Sequence, residues 1–239
     1  MSLRSKIVTI TLLAIALGFL ENAVVIYLRE LLYPDGFKFP LAPMPVNLVV
    51  TELLRELSTL VILFTIGIMA GKTFSQRFAW FCYVFAIWDI FYYIFLKLML
   101  GWPESLMTWD ILFLIPTTWT GPVLSPLIVS CTLILLAMVI LIHAEMGLNT
   151  RIKGMEWGGL ILGSLVLIFG FILDYTKYML SHFTLQEMSQ VKNPEVLEVA
   201  MLYVPFQFPW WIFFLGEVII LGTIGIYLIR LRKGINPES

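Results

Sequence analysis

The sequence predicts an all-α fold, a polytopic membrane bundle of six transmembrane helices forming one domain over 1–239. Two observations carry that prediction. Of 239 residues, 60% are hydrophobic and 13% charged, about half the charged share of a soluble domain. Six apolar runs, near 7–29, 47–71, 78–100, 122–144, 157–178 and 209–229, each reach the roughly 20 residues needed to cross a bilayer. Aromatic residues make up 15% of the chain, which suits two interfacial belts.

The first run follows Arg4 and Lys6 and has Ala14-Ile15-Ala16 within it, features of a signal peptide. The apolar stretch continues through "AVVIYL", so it is read as a retained signal-anchor helix. The connection after it, "YPDGFKFPLAPMPVN", holds four prolines and should be extended or turned. A seventh apolar run, "LMTWDILFLIPTTW" at 106–119, is too short to span and is predicted to be re-entrant or interfacial. Between the fifth and sixth spans, Thr184-x-x-Glu187 forms a capping box and Asn193-Pro194 opens "EVLEVAMLY". One or two short surface helices are expected there. Small residues four apart, Ala14/Gly18, Gly67/Gly71 and Gly159/Gly163, mark close helix contacts.

Orientation follows from the basic residues. Arg4, Lys6, Lys72, Arg77, Arg151, Lys153, Arg230, Arg232 and Lys233 fall on one side of a six-span topology. Arg29, Lys38, Lys97, Lys177 and Lys192 fall on the other. The excess predicts both termini in the cytoplasm of a cell's inner membrane.

Several function classes are set aside. The net charge of -1 offers no basic surface for nucleic acid. Cys82 and Cys131 stand singly in apolar runs, and His143 and His182 lie far apart, so neither haem nor zinc is expected. His143 reads as an interfacial residue. "GKTF" at 71–74 lacks the upstream glycine of a nucleotide-binding loop.

The chemistry is sought instead in charges that lipid cannot accommodate. An ionisable side chain at mid-bilayer costs about 2.5–3.5 kcal/mol on insertion scales. By the rise of a helix, Glu21 lies roughly 20 Å from the cytoplasmic side, and Glu52, Arg55 and Glu56 roughly 7–14 Å below the outer surface. Asp89 falls mid-span, Asp174 in the outer third of its helix, and Glu217 roughly 10 Å down. Their faces agree: Glu52, Arg55, Glu56 and Thr59 form one stripe, Asp89, Tyr92, Tyr93 and Lys97 another, and Gly18, Glu21, Asn22 and Arg29 a third. Such stripes turn inward, since lipid offers no partner. The candidate binding residues are therefore Glu21, Asn22, Glu52, Arg55, Glu56, Asp89, Tyr93, Lys97, Asp174 and Glu217.

Arg55 is expected to bridge Glu52 and Glu56, with Lys97 or Lys177 reaching another acid. The remaining carboxylates need protons, water or a bound cation. If a metal binds, Glu21, Glu52, Glu56 and Asp89 would hold it, and a hard ion (Mg²⁺, Ca²⁺, Mn²⁺ or Na⁺) suits all-oxygen ligands. The bland alternative is a Glu-Arg-Glu staple fixing helix register.

Three function classes fit these residues. The first is cation- or proton-coupled transport or solute binding. The second is a membrane enzyme acting on a lipid or lipid phosphate, with Glu52 and Glu56 holding Mg²⁺ and Arg55 on the phosphate. The third is a non-catalytic subunit of a membrane complex, with Trp102, Trp109, Asp110 and Trp119 and the stretch "YVPFQFPWWIFF" as a docking surface. Membrane lipids, and partner membrane subunits in the third case, are the partners implied.

Overall fold

The computed structural model describes residues 2–188 and 193–233. Lys192, counted above among the basic residues, lies outside them. Six long apolar helices form where expected: α1 (Leu3–Leu32), α2 (Val46–Ala70), α3 (Phe74–Leu100), α4 (Leu124–Glu145), α5 (Gly154–Leu180) and, after two short helices, a last one at Trp210–Lys233. Three of them, α1, α3 and α5, start about a turn before the apolar stretches, and each start is capped by a polar side chain. Ser2 accepts from the Ser5 N–H and Thr73 from the Gln76 N–H, and Glu156 accepts from the Lys153 N–H at 2.6 Å. These close N-terminal donors that no helical carbonyl can reach. All six have the length and apolar composition to cross a membrane, and the chain is a multi-pass membrane protein.

The two short helices are α6 (Leu185–Met188) and α7 (Pro194–Met201), and the last long helix is α8. The Thr184 capping box is closed: its N–H and hydroxyl both donate to Glu187 at 2.8 Å, and the Glu187 N–H donates back. Those bonds hold the Glu187 carboxylate below its ordinary pKa. Asn193 caps α7, which packs Val196 against Tyr175, Met179 and Tyr203.

The third helix organises the bundle. Both α1 and α2 pack on α3, α3 packs on α4, α4 on α8, and α8 on α5. The small residues permit these approaches. A Cβ on Gly67 would stand 2.7 Å from the Arg77 carbonyl of α3, and one on Gly163 would stand 2.5 Å from Ile220 of α8. The main core, including Ala14, Leu63, Trp80, Val84, Ala137 and Ile140, runs from Phe171, Phe208 and Phe213 beside the later part of the chain to the end where α1 starts and α8 stops. At that end Lys6 donates to the Ala70 carbonyl, and Arg230 donates to Glu156 and to the Arg151 carbonyl. The basic residues assigned to one side thus meet at one end, here called the basic end.

The opposite end holds a feature that helix reasoning did not predict. Residues within the 106–119 run form β1 (Trp109–Phe113), paired antiparallel with β2 (Trp119–Pro122). The hairpin is tucked into the bundle. Trp109 meets Phe208 just before α8, Trp119 stacks on Phe171 of α5, and the Leu114 N–H reaches Glu56 of α2. Backbone at membrane depth must pair its polar groups, and the ladder plus that carboxylate serve this need. Hence α4 starts at Leu124 rather than 122, since Pro122 belongs to β2.

Candidate functional site

Three helices and the hairpin converge at the hairpin end. Glycine at 18 lets α1 lie close on α3, where a Cβ would be 3.0 Å from the Trp88 carbonyl. One turn on, fully buried Asn22 donates to the Tyr92 carbonyl at 2.9 Å. That contact sets the rotation of α1 and presents Glu21 toward α2.

Glu21 meets Arg55 in an ion pair and accepts from the Thr59 hydroxyl at 2.9 Å. Arg55 also places Nε and Nη2 on Glu52 at 2.9 and 2.7 Å. The expected Glu52–Arg55–Glu56 bridge is therefore replaced by Glu52–Arg55–Glu21. The reason is geometric: α1 supplies an acid at the level of Arg55, while Glu56 turns to the hairpin and accepts from the Leu114 N–H at 2.9 Å.

A second ion pair was not anticipated. Arg29 of α1, 7% exposed, places Nη2 3.2 Å from Asp110 of β1. Tyr93 donates to the other Asp110 oxygen at 3.3 Å. The guanidinium sits in a corner made by the rings of Trp102, 3.8 Å away, and Phe37, 4.4 Å away, which stand nearly perpendicular to each other, a cation–π arrangement. Its Nη1 is buried with no hydrogen-bond partner among the described residues. An orphaned buried donor costs about 1–3 kcal/mol, more when charged. Asp110, read from sequence as part of an outer docking surface, is 2% exposed and belongs to this interior pair. The available signal was an acid within an apolar run too short to span.

Deeper still, Asp89 of α3 accepts from the Ser130 hydroxyl of α4 at 2.7 Å, and no cation pairs with it among the described residues. The fourth span has no carboxylate in its core, but its hydroxyls serve acids on both flanks, since Thr132 donates to Glu217 at 2.7 Å.

Two cavities link these groups. One of about 170 Å³ is lined by Arg29, Glu52, Arg55, Glu56, Tyr92 and Asp110 at its polar wall. Apolar side chains such as Leu28, Leu41, Met44 and Met201 complete it. A second of about 50 Å³ lies between Glu21, Arg55, Glu56, Thr59, Asp89 and Phe113. Both share Val25, Arg55, Glu56, Tyr92 and Ile111 as walls. Together they hold five carboxylates against two guanidinium groups, an excess of three negative charges if all ionise. At the rim, burial pushes the Tyr33 phenol up from its ordinary pKa, opposed by the Ala42 N–H and the Arg29 charge.

Of the candidates read from sequence, Glu21, Glu52, Arg55, Glu56, Asp89 and Tyr93 line this pair of cavities, and Asn22 supports them from behind. Three stand elsewhere. Lys97 caps the end of α3 by donating to the Gly101 and Pro103 carbonyls at 2.9 and 2.8 Å, because its long stem reaches past the helix terminus. Asp174 accepts from the Tyr203 hydroxyl at 2.6 Å and the Phe206 N–H at 3.0 Å, tying α5 to the chain before α8. Burial and that carboxylate push the Tyr203 phenol well up, so it remains a donor. Glu217 lies between α4 and α8. The four acids named as metal ligands do not gather at one point: among the described residues no three metal-ligating side chains are grouped.

Comparisons with protein-family models, curated proteins and solved structures find no match.

Proposed function

We propose that the protein binds a cation or a small solute within the hairpin half of the bundle, coupled to movement of a proton or cation. We place it in a cell's inner membrane with the hairpin end outward, both termini cytoplasmic. One observation carries the reading: adjoining cavities step from the hairpin end down to Asp89, and their walls hold three more carboxylates than guanidinium groups. Such an excess within a membrane persists only with protons, water or a bound cation to neutralise it. The acids are strung along the path, from Glu52 and Glu56 past Glu21 to Asp89. That spacing suits passing a proton or ion inward more than chelating one divalent metal. Beyond Asp89 the packed core around Leu63, Val84 and Ala137 closes the route, as in a carrier open to one side only. The basic end satisfies the preference of Lys and Arg for the cytoplasm.

The test measures the melting temperature of purified protein in neutral detergent against pH and against Na⁺, Mg²⁺, Ca²⁺ and Mn²⁺ at fixed ionic strength. A ligand that binds the folded state raises the melting point with its concentration. At least one of these ions, or protonation, should stabilise the wild type. Glu56→Gln and Asp89→Asn should each remove most of that response while remaining monodisperse, and flux of the same ion into proteoliposomes should fall at least tenfold. A melting point indifferent to every ion and to pH, or one whose response survives both substitutions, overturns the reading.

A further inference from the structure

The 170 Å³ cavity carries a more specific inference, which rests on the binding role proposed above. Its acids alone would invite a simple cation. Arg29 argues for something else. Its guanidinium is more than nine-tenths buried, packed in the corner between the Trp102 and Phe37 rings, and committed to Asp110 through Nη2 alone. Its Nη1 has no partner among the described residues, although Arg29 forms part of the cavity wall. A planar fork with one free edge is suited to an oxyanion, carboxylate or phosphate. Glu52 and Glu56 belong to the same cavity, carried by another helix. Glu52 shares Arg55 with Glu21, and Glu56 has a backbone N–H as its hydrogen-bond donor.

A pure cation would leave Arg29 Nη1 unmet. A pure anion would add to a negative excess. We infer that the ligand is a small zwitterion: an oxyanion for Arg29, a primary ammonium for the Glu52–Glu56 side, and an apolar portion against Leu28, Leu32, Leu41, Met44, Val49 and Met201. Two sources present this chemistry, a free apolar amino acid and the aminoethyl phosphate headgroup of a lipid.

The full chain in phosphatidylcholine nanodiscs decides the matter by equilibrium binding of tritiated L-leucine and, separately, by competition with short-chain lipids. Binding of leucine, displaced at least tenfold more weakly by 4-methylpentanoate or isopentylamine, supports a soluble zwitterion. Binding of dihexanoyl phosphatidylethanolamine, with dihexanoyl phosphatidylglycerol at least tenfold weaker, supports a lipid headgroup. In either case Arg29→Lys, which keeps the charge but loses the fork, should weaken binding at least tenfold. Glu56→Gln, which leaves Arg29 and Asp110 intact, should do the same, so the result does not hang on one variant's folding. If the half-molecules compete as well as the zwitterion, or if Arg29→Lys binds like wild type, the inference is overturned. If neither probe binds while the melting point still answers to pH or cations through Glu56 and Asp89, this inference falls and the proposed function stands. If that response is absent too, both fall.

Discussion

Asp89 and Asp110 line adjoining cavities, yet neutralising them should have opposite effects. Asp110 balances a buried arginine, and removing one partner of such a pair leaves an uncompensated charge, a loss of about 3–5 kcal/mol. Asp110→Asn should therefore lower the melting temperature markedly. Asp89 faces a hydroxyl and no cation among the described residues, so its charge is a cost that the fold carries without return. Asp89→Asn keeps a hydrogen bond to Ser130 and should raise stability, by about 1–3 kcal/mol, while abolishing the ion response. Thermal unfolding of the two variants, side by side in the same detergent, checks the pair of signs. A destabilised Asp89→Asn would make that acid a structural group. Glu21, Glu52, Arg55, Glu56 and Asp89 could be picked from the sequence because a charge inside an apolar span has nowhere else to go. Their pairing was not legible: which acid Arg55 meets depends on the rotation of α1, fixed by Asn22 and Gly18 against α3, and no local spacing encodes it.

Elements divide in the same way. Periodicity and length delivered the six spans, because a helix that must satisfy its own backbone in lipid leaves a long uniform signature. The hairpin left none, since nine strand residues surrounded by helices are held by partners far away in sequence, Phe171 and Phe208 among them. Trp109 and Trp119, suited by type to an interfacial belt, pack inward for that reason. The small-residue pairs carry a quantitative expectation. Gly163 of α5 faces Ile220 and the Gly216 carbonyl of α8, whereas Gly158 on the same helix has open space where a Cβ would stand. Gly163→Ala should cost about 1–3 kcal/mol through overpacking. Gly158→Ala should be neutral or gain about 0.5–1 kcal/mol from helix propensity. Melting curves of both variants test whether α5 and α8 are held at the distance described, and equal effects would contradict it.

At the scale of the molecule, everything proposed for the cavities has a direction, and the direction rests on which end of the bundle meets the cytoplasm. The acid-lined cavities lie at the hairpin end, and apolar packing around Leu63, Val84 and Ala137 separates them from the basic end, which has cavities of its own beside Lys6 and Arg151. Lysine and arginine near span ends are retained on the cytoplasmic side, and the orientation proposed on that ground would turn the cavities outward and make Asp89 the innermost carboxylate reached from outside. Asp35, exposed in the connection after α1, and Asn149, exposed between α4 and α5, report on opposite ends. Cys82 is buried, and Cys131 is exposed on a membrane-crossing helix, so Cys131→Ala provides the background for single new cysteines. Asp35→Cys should react with a membrane-impermeant maleimide in intact cells. Asn149→Cys should react only after permeabilisation. The reverse pattern would open the cavities to the cytoplasm, and a zwitterion or ion bound beside Arg29 and Glu56 would then be taken from inside the cell, so the outward-facing part of the proposal would be wrong while the site geometry remained as described.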